Sequence, residues 1–248
     1  MLHYQPKVDL TTGAFVGTEA LIRWNHPIHD LIYPDRFIGP AEELGAIDAL
    51  TDWVLREAVQ QLSRWHTGKL RIQMAVNVSV ENLRSPSFVH RLSALVRGSC
   101  VSPQDLTLEL TESRLMSPGP TPLESLVRLR LQRFGLSIDD FGTGHSSLAQ
   151  LRDVPFTELK IDRGFVQGAR DNRLIRPILE GSISIAKRMG LRSVAEGVET
   201  EDDWRLLREL GCEHAQGYFI GRPMPSKDIP AWHEDWKLKV RQSGLVGS

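Results

Sequence analysis

Short runs of β-favouring residues alternate with longer helical patterns along the whole chain of 248 residues. This alternation is typical of a parallel sheet covered by helices, because each helix returns the chain to the start of the next strand. About eight such strand and helix units in roughly 250 residues is the size of a (β/α)8 barrel. We therefore expect an α/β barrel that fills a single domain, residues 1–248. The predicted strands are 5–10, 15–22, 72–78, 106–110, 136–140, 158–161, 193–195 and 216–219.

The segments between these strands carry apolar residues three or four positions apart, the period of a helix with one buried face. Packing against a sheet explains such stripes fully, so they are weak evidence for a cofactor site. Thr200 and Asp203 resemble a capping box at the start of one helix, and Gly211 can end that helix in a left-handed conformation. One such apolar stripe consists of Leu55, Ala58, Leu62 and Trp65.

The overall charge limits the partners that this chain can bind. It has 30 Lys and Arg against 31 Asp and Glu, a net charge of -1, so it lacks the basic field that attracts a nucleic-acid polymer. Its longest apolar runs, such as 101–110, are too short and too interrupted for a membrane-spanning helix. Cys100 and Cys212 are too far apart in sequence for a disulfide framework or a zinc site. We expect a cytoplasmic domain with reduced cysteines, no secretory signal and no membrane contact.

Polar side chains recur at the ends of the predicted strands, where an apolar barrel core would be expected. A charge in such a position costs several kcal/mol unless it is paired or binds a metal ion. If the strands are parallel neighbours, these side chains converge on one mouth of the barrel. The residues are Glu19, Asn77, Glu109, Asp139, Asp140, Lys160, Glu196 and Gln216.

Several carboxylates cannot share one small volume without cations. Oxygen ligands with one amide, and without sulfur or imidazole, favour hard ions such as Mg²⁺ or Mn²⁺ over zinc. The adjacent Asp139 and Asp140 could let one ion be shared with a second, as in two-metal phosphodiester hydrolysis. Any one of these residues alone is more often a salt-bridged surface group or a helix cap. Their recurrence at strand ends predicts a metal-dependent barrel enzyme.

A set of short motifs occurs in order along the chain and resembles the EAL domain family. A single Glu-Ala-Leu triplet is common and carries no weight, whereas the ordered set is very specific. The resemblance extends from Gln5-Pro6 to Pro223. The motifs are Glu19-Ala20-Leu21 followed by Arg23-Trp24, Asn77 with Ser79, Glu109 with Thr111-Glu112, Asp139-Asp140-Phe141-Gly142-Thr143-Gly144, Lys160-Ile161-Asp162-Arg163, Glu196-Gly197-Val198-Glu199 and Gln216-Gly217.

The resemblance implies a modified barrel whose first strand runs antiparallel to the others. It implies hydrolysis of cyclic di-GMP to linear 5'-pGpG in bacterial second-messenger signalling. It also implies two divalent ions, Mg²⁺ or Mn²⁺, in each active site. The first ion would be held by Glu19, Asn77, Glu109 and Asp139, and the second by Asp139, Asp140 and Glu196.

The same resemblance implies further roles for individual side chains. Lys160 would contact the attacking water or the phosphate and offset negative charge in the transition state. Glu196 would act as a general base, a role that competes with metal ligation, and Gln216 would position water. The substrate would be contacted by Gln5, Leu21, Arg23, Asp162 and Glu199.

The segment 141–151 resembles the family loop that links catalysis to dimerisation, with Glu112 as its anchor, so a homodimer is expected. His145 stands where the family usually has tyrosine, which keeps an aromatic ring but adds a group that titrates near neutrality. We expect a small effect on activity. The chain opens almost directly on a strand, which fits a domain excised from a longer protein with an upstream receiver, sensory or GGDEF domain. It also fits a domain that simply begins there.

Two other functions remain open on the sequence. A non-hydrolysing receptor of this family would bind cyclic di-GMP and pass the signal to a partner. Such receptors commonly lose one or more of five positions, whereas all five are present in this chain, so hydrolysis is favoured. An unrelated barrel enzyme acting through the same hard metals is the second alternative. The five positions are Glu19, Asp139, Asp140, Lys160 and Glu196.

Overall fold

The computed structural model describes residues 1–111, 122–143 and 148–246. Its strands are β1 (Leu2–Asp9), β2 (Phe15–Ile22), β3 (Trp24–His26), β4 (Asp30–Ile32), β5 (Gln73–Asn77), β6 (Leu106–Thr111), β7 (Gly135–Phe141), β8 (Glu158–Ile161), β9 (Arg192–Ala195) and β10 (His214–Gln216). Its helices are α1 (Ile38–Glu43), α2 (Ile47–Thr67), α3 (Val80–Arg84), α4 (Phe88–Arg97), α5 (Leu123–Leu131), α6 (Leu148–Asp153), α7 (Arg163–Val166), α8 (Arg176–Met189), α9 (Glu201–Glu209) and α10 (Ile229–Ser243).

Eight of these strands close into a barrel in the order β1-β10-β9-β8-β7-β6-β5-β2. Strand β1 runs antiparallel to both of its neighbours, β10 and β2. The other neighbouring pairs are parallel. The predicted α/β barrel with an antiparallel first strand is therefore confirmed. Strands β3 and β4 form a separate antiparallel hairpin after β2, which the predicted strands did not include.

Strand β6 shows how the barrel interior combines apolar and acidic residues. Leu106, Leu108 and Leu110 are fully buried, and Glu109 between them is only 1% exposed. Successive side chains of a strand point to opposite faces, and strands of a parallel barrel are buried on both. Glu109 contacts Lys160 of β8, which is not adjacent to β6 in the barrel. Glu109 therefore faces the barrel interior, while the leucines face outward under the helices.

The helices follow the signals predicted from sequence. Helix α2 buries the predicted apolar stripe, which includes Leu55 and Leu62. At the start of α9, the amide of Asp203 donates to Thr200 Oγ1 at 3.1 Å, and the amide of Thr200 donates to Asp203 Oδ2 at 3.0 Å. Gly211 follows this helix with a φ of 78°, so both predicted helix ends are confirmed. No helix in the described ranges is long and apolar enough to cross a membrane.

The predicted strand over 216–219 is wrong in its extent. Strand β10 ends at Gln216, and residues 217–220 form a turn. A Cβ on Gly217 would lie 2.2 Å from the main-chain nitrogen and oxygen of Val198, so this glycine allows a close approach of two loops. The apolar run after Gln216 resembles a strand in sequence, but the turn replaces strand pairing.

Candidate active site

Carboxylates from different strands meet around the ammonium group of Lys160, which is only 1% exposed. Lys160 Nζ lies 2.7 Å from Glu196 Oε1, 2.9 Å from Glu109 Oε2, 3.2 Å from Asp139 Oδ1 and 3.4 Å from Glu19 Oε2. These side chains come from β2, β6, β7 and the residue after β9. Barrel closure therefore brings together acids that are far apart in the chain.

Asp139 and Asp140 both turn toward this cluster because strand β7 is irregular at this point. Pairing with β8 shifts between Ile138 and Phe141, and Asp140 has a left-handed φ of 56°. In a regular strand, two successive side chains point to opposite faces. The irregularity re-aims one of them, so that ligand atoms of Asp139, Asp140 and Glu196 all lie within 4.8 Å of one another.

Two amide side chains fix the carboxylate of Glu19. Asn77 Nδ2 donates to Glu19 Oε1 at 2.7 Å, and Gln216 Nε2 donates to Glu19 Oε2 at 2.7 Å. Gln216 Nε2 also donates to Gln5 Oε1 at 3.0 Å, and Gln5 Nε2 donates to the Gly221 carbonyl oxygen at 3.2 Å. Because the side-chain nitrogen of Asn77 donates to Glu19, the amide oxygen of Asn77 is not used in this contact and can coordinate a cation.

Burial and mutual repulsion change the pKa values of the clustered carboxyls. Burial raises the pKa of Glu196 to about 8, because it outweighs the attraction of Lys160, and repulsion from Asp139 adds to the effect. Burial together with the Asp139 charge raises the pKa of Asp140 to about 6. Glu19 behaves differently: burial acts to raise its pKa, but Lys160 and the two amides hold it below the ordinary value. The site thus contains more acid than one lysine neutralises.

The donor set fits hard divalent cations. Glu109 Oε1 is buried and has no hydrogen-bond partner among the described residues, so an oxygen acceptor remains for a cation. The other donors are carboxylate and amide oxygens, which Mg²⁺ and Mn²⁺ prefer. The barrel brings together both predicted ligand sets, namely Glu19, Asn77, Glu109 and Asp139, and Asp139, Asp140 and Glu196.

A cavity of about 280 Å³ opens directly onto this cluster. Three of the predicted substrate contacts, Gln5, Leu21 and Glu199, line it. A second cavity of about 510 Å³ shares Leu21 and Asn77 with the first, so the two are neighbours, and Asp140 lies on its wall. Several residues that line the first cavity were not proposed from sequence: Arg163, Gln167, Gly197, Gly217 and Tyr218.

Some of these missed residues had a usable signal in the sequence. Arg163 and Gly197 stand inside motifs that carry the family resemblance, and Gly217 follows Gln216 directly. Gly197 has a φ of 67°, and a Cβ there would lie 2.3 Å from the Cβ of Arg163. Gln167 and Tyr218 had no such signal, because only the folded loops bring them to the cavity.

The remaining predicted substrate contacts, Arg23 and Asp162, are not among the described residues that line this cavity. Arg23 donates from one guanidinium nitrogen to the Ile22 carbonyl oxygen at 2.8 Å and lies 4.9 Å from the centre of the Tyr33 ring. Asp162 caps α7 by accepting a hydrogen bond from the Gly164 amide at 2.9 Å. Both side chains therefore already have local partners.

Two predictions concern residues outside the part of the chain that the structure describes. Glu112, the predicted catalytic anchor, is one of them, and His145 is the other. The predicted dimerisation segment 141–151 is described only at 141–143 and 148–151. The roles given to these residues stay predictions.

A model of the EAL domain family matches residues 1–223 of the chain. The chain belongs to the EAL domain family. The cyclic di-GMP phosphodiesterase NbdA of Pseudomonas aeruginosa is 44% identical over 225 residues, which make up 90% of this chain and 29% of NbdA. The cyclic di-GMP phosphodiesterase PA2567 of the same organism is 38% identical over 235 residues, or 95% of this chain and 39% of PA2567. This EAL domain thus spans between 29% and 39% of the length of these relatives.

The barrel of this EAL domain also resembles that of a solved structure, the complex of the PaMucR phosphodiesterase with c-di-GMP. The two chains are 40% identical in sequence and superpose with a TM-score of 0.87, and the match covers 92% of this chain and 93% of the other. The predicted family and the predicted barrel are both confirmed by these comparisons.

Proposed function

We propose that this EAL domain hydrolyses cyclic di-GMP to linear 5'-pGpG with two Mg²⁺ or Mn²⁺ ions. The observation that carries the proposal is the buried cluster in which Lys160 contacts four carboxylates beside a cavity. The names of the relatives PA2567 and NbdA, and the ligand of the PaMucR complex, support the substrate.

Two overlapping ligand sets would hold the metal ions. The shared residue would be Asp139, which lines the first cavity with Glu196, while Asp140 lines the second cavity. When bound, such ions lower the pKa of a bound water and neutralise charge on the phosphate. The first set would consist of Glu19, Asn77, Glu109 and Asp139, and the second of Asp139, Asp140 and Glu196.

Lys160 would stabilise negative charge during hydrolysis, and Glu196 would take part in proton transfer. Hydrolysis joins the water oxygen to phosphorus, breaks the bond from phosphorus to the 3' oxygen and leaves a 5' phosphate and a 3' hydroxyl. Lys160, fixed at 2.7 Å from Glu196, would stabilise the negative charge that develops on the phosphate oxygens. Glu196, which lines the cavity beside Lys160, would accept the proton that the attacking water releases.

The cavities suit an elongated dinucleotide. The cyclic substrate has two bases joined by a charged ring, and the two neighbouring cavities of about 280 and 510 Å³ meet at Leu21 and Asn77. Gln5 and Glu199 on the wall of the first cavity have the amide and carboxylate groups needed to read a guanine edge. The contact of Arg23 with the Ile22 carbonyl uses one guanidinium nitrogen, and the other nitrogens would donate to a phosphate.

A receptor that binds cyclic di-GMP without cleaving it is the alternative. It would need the cavity but not the complete acid cluster. In this chain, Glu109 has a buried oxygen without a hydrogen-bond partner, and Asp140 has a left-handed backbone conformation. Without a bound cation, both features destabilise the fold, and a receptor would not need either of them. Hydrolysis is therefore the function that the site supports best.

The deciding experiment combines a product assay with a binding assay on the same protein. We expect pGpG to accumulate from cyclic di-GMP with Mg²⁺ or Mn²⁺ and to be absent with EDTA. Binding of cyclic di-GMP in the presence of either ion without any pGpG would establish the receptor function instead. Cleavage that proceeds fully in EDTA would refute the metal-dependent mechanism.

Further proposals concern the protein around this domain. We propose that residues 1–248 form one domain of a longer cytoplasmic signalling protein, since this chain matches only part of each relative. Such a protein would carry a receiver, sensory or GGDEF domain. A homodimer through the segment 141–151 is proposed on the family resemblance, and the molecular mass in solution would test it.

A further inference from the structure

Helix α10 lies beyond residues 1–223, the part that matches the family, yet it contacts a loop that lines the candidate active site. Lys239 Nζ donates to the Phe219 carbonyl oxygen at 2.7 Å. Trp232 Nε1 donates to the Ile220 carbonyl oxygen at 2.9 Å. Two side chains of α10 therefore hold two successive carbonyls of the same loop.

The surroundings of Lys239 are unusual for a lysine on a surface helix. Lysine side chains on a helix normally extend their ammonium group into water, but Lys239 Nζ lies 3.6 Å from the centre of the Phe219 ring and 5.3 Å from that of Trp236. No carboxylate of the described residues lies within salt-bridge distance of Lys239. Burial lowers its pKa, although Glu201 opposes this. The contact with Phe219 thus replaces part of the water around the charge.

The other side of this loop belongs to the site. The amide of Phe219 donates to the Val198 carbonyl at 3.0 Å, and the amide of Val198 donates to the Gln216 carbonyl at 3.1 Å. Gly217 packs directly against Val198, because a Cβ added at Gly217 would lie 2.2 Å from the main chain of Val198. Tyr218, between these anchors, lines the cavity. A shift of the loop would therefore move several parts of the cavity wall together.

We propose that Lys239 and Trp232 are positioning residues that hold Gln216 and Tyr218 in place for the reaction. Neither of the two touches the cavity. They act through main-chain carbonyls of the loop that follows Gln216, the residue whose amide fixes Glu19 at 2.7 Å. The catalytic part of this inference rests on the proposed hydrolysis of cyclic di-GMP.

The helix has its own anchor, so the two contacts can be removed without detaching it. Trp236 is only 2% exposed, and its Nε1 donates to the Gly13 carbonyl oxygen at 2.8 Å. Its ring stacks on that of Trp232 with the planes 15° apart. Lys239→Met keeps the length of the side chain and removes its charge, while Trp232→Phe keeps a ring and removes the donor.

The test measures amide hydrogen exchange in residues 217–221 together with kcat and KM for cyclic di-GMP. The matched control is Lys237→Met on the same helix, where Nζ contacts only Glu234 among the described residues, at 2.6 Å. We expect faster exchange in this loop for Lys239→Met and Trp232→Phe, and a loss of about tenfold in kcat/KM. The Tm should change little, the control should match the wild type, and Lys239→Arg should restore part of the rate.

Three results would overturn the inference. Exchange in 217–221 could stay unchanged in both variants, or it could rise in an active protein with no loss of kcat/KM. Alternatively, Tm and activity could fall together without rescue by Lys239→Arg, which would indicate a purely structural contact. If the wild type cleaves no cyclic di-GMP, the proposed function fails, and the exchange measurement still decides whether Lys239 holds the loop.

Discussion

Among the described residues, two buried lysines, Lys7 and Lys160, lie in the barrel interior with very different surroundings. At the carboxyl ends of the strands, Lys160 contacts four carboxylates. Lys7, on the antiparallel strand, contacts the carboxylate of Glu158 at 2.9 and 3.0 Å, and Arg192 lies 3.6 Å from the same group. Glu158 and Arg192 are the first residues of β8 and β9, so this cluster lies at the opposite ends of the strands. One cluster is short of positive charge, whereas in the other the buried pair of Lys7 and Glu158 is balanced, and the partly exposed Arg192 lies beside it.

The pKa values follow this difference. Burial acts to raise the pKa of Glu158, but the charge and hydrogen bond of Lys7 outweigh it and hold the pKa below the ordinary value. Burial instead raises the pKa of Glu196 to about 8, despite its contact with Lys160. A balanced buried pair serves the structure, whereas an unbalanced acid cluster needs further cations. This difference separates the stabilising end of the barrel from the proposed catalytic end.

The largest expected effect is on activity at the unbalanced end. Glu19→Gln keeps the shape of the side chain and removes the charge that would bind a metal ion. We expect the rate of pGpG formation to fall by roughly a thousandfold, measured at saturating Mg²⁺. Glu124→Gln is the control, since Glu124 is 87% exposed on α5. A Glu19→Gln protein with near-wild-type activity would remove Glu19 from the metal site.

The next effect is on stability at the balanced end. Lys7→Met leaves Glu158 buried without its partner, and breaking such a pair costs about 3–5 kcal/mol. Urea unfolding would measure this loss. The double variant that adds Glu158→Leu should recover most of it, because no buried charge then remains unpaired. A loss below about 1 kcal/mol for Lys7→Met alone would show that the two ends do not differ as described.

The pH dependence of the free energy of unfolding should also differ between the two ends of the barrel, and this effect is smaller. The raised pKa of Glu196 means that the folded state binds the proton more tightly, so metal-free stability should fall as pH rises from about 4.5 to about 8. The lowered pKa of Glu158 has the opposite sign, since its contribution is present above about 4.5 and is lost as pH falls further.

Urea unfolding in EDTA at several pH values would test these signs. Glu196→Gln should flatten the decline toward pH 8, and Mg²⁺ should stabilise the wild type most at high pH, where binding need not displace a proton. Glu19 does not contribute to this decline, because its pKa is lowered and its contribution to stability changes only below about pH 4.5. Metal-free stability that rises steadily up to pH 8 would contradict the raised pKa of Glu196.

The smallest effect is expected for Arg192→Gln. Arg192 is 35% exposed and 3.6 Å from Glu158, and ion pairs in contact with water contribute at most about 1 kcal/mol. Urea unfolding should therefore show a loss within that limit, well below that of Lys7→Met. A loss as large as for Lys7→Met would mean that Glu158 depends on both cations.

Local residue patterns are enough to predict the class of fold and the identity of the acids. The alternation of strands and helices requires only local residue patterns, and polar residues at strand ends are visible because they interrupt apolar runs. The local signals at Thr200 and Gly211 likewise act within one helix. The turn at Gly217, however, resembled a strand, because its conformation depends on contact with Val198.

The way in which these residues meet depends on long-range packing. The position of Lys160 among the carboxylates depends on barrel closure and strand register, which no local pattern specifies. The left-handed φ of Asp140 is a strained backbone conformation that the surrounding fold must enforce. The contact of Lys239 with the Phe219 carbonyl joins a helix and a loop whose packing is non-local. Residue types set which groups are available, and the distances between them arise from the closed barrel.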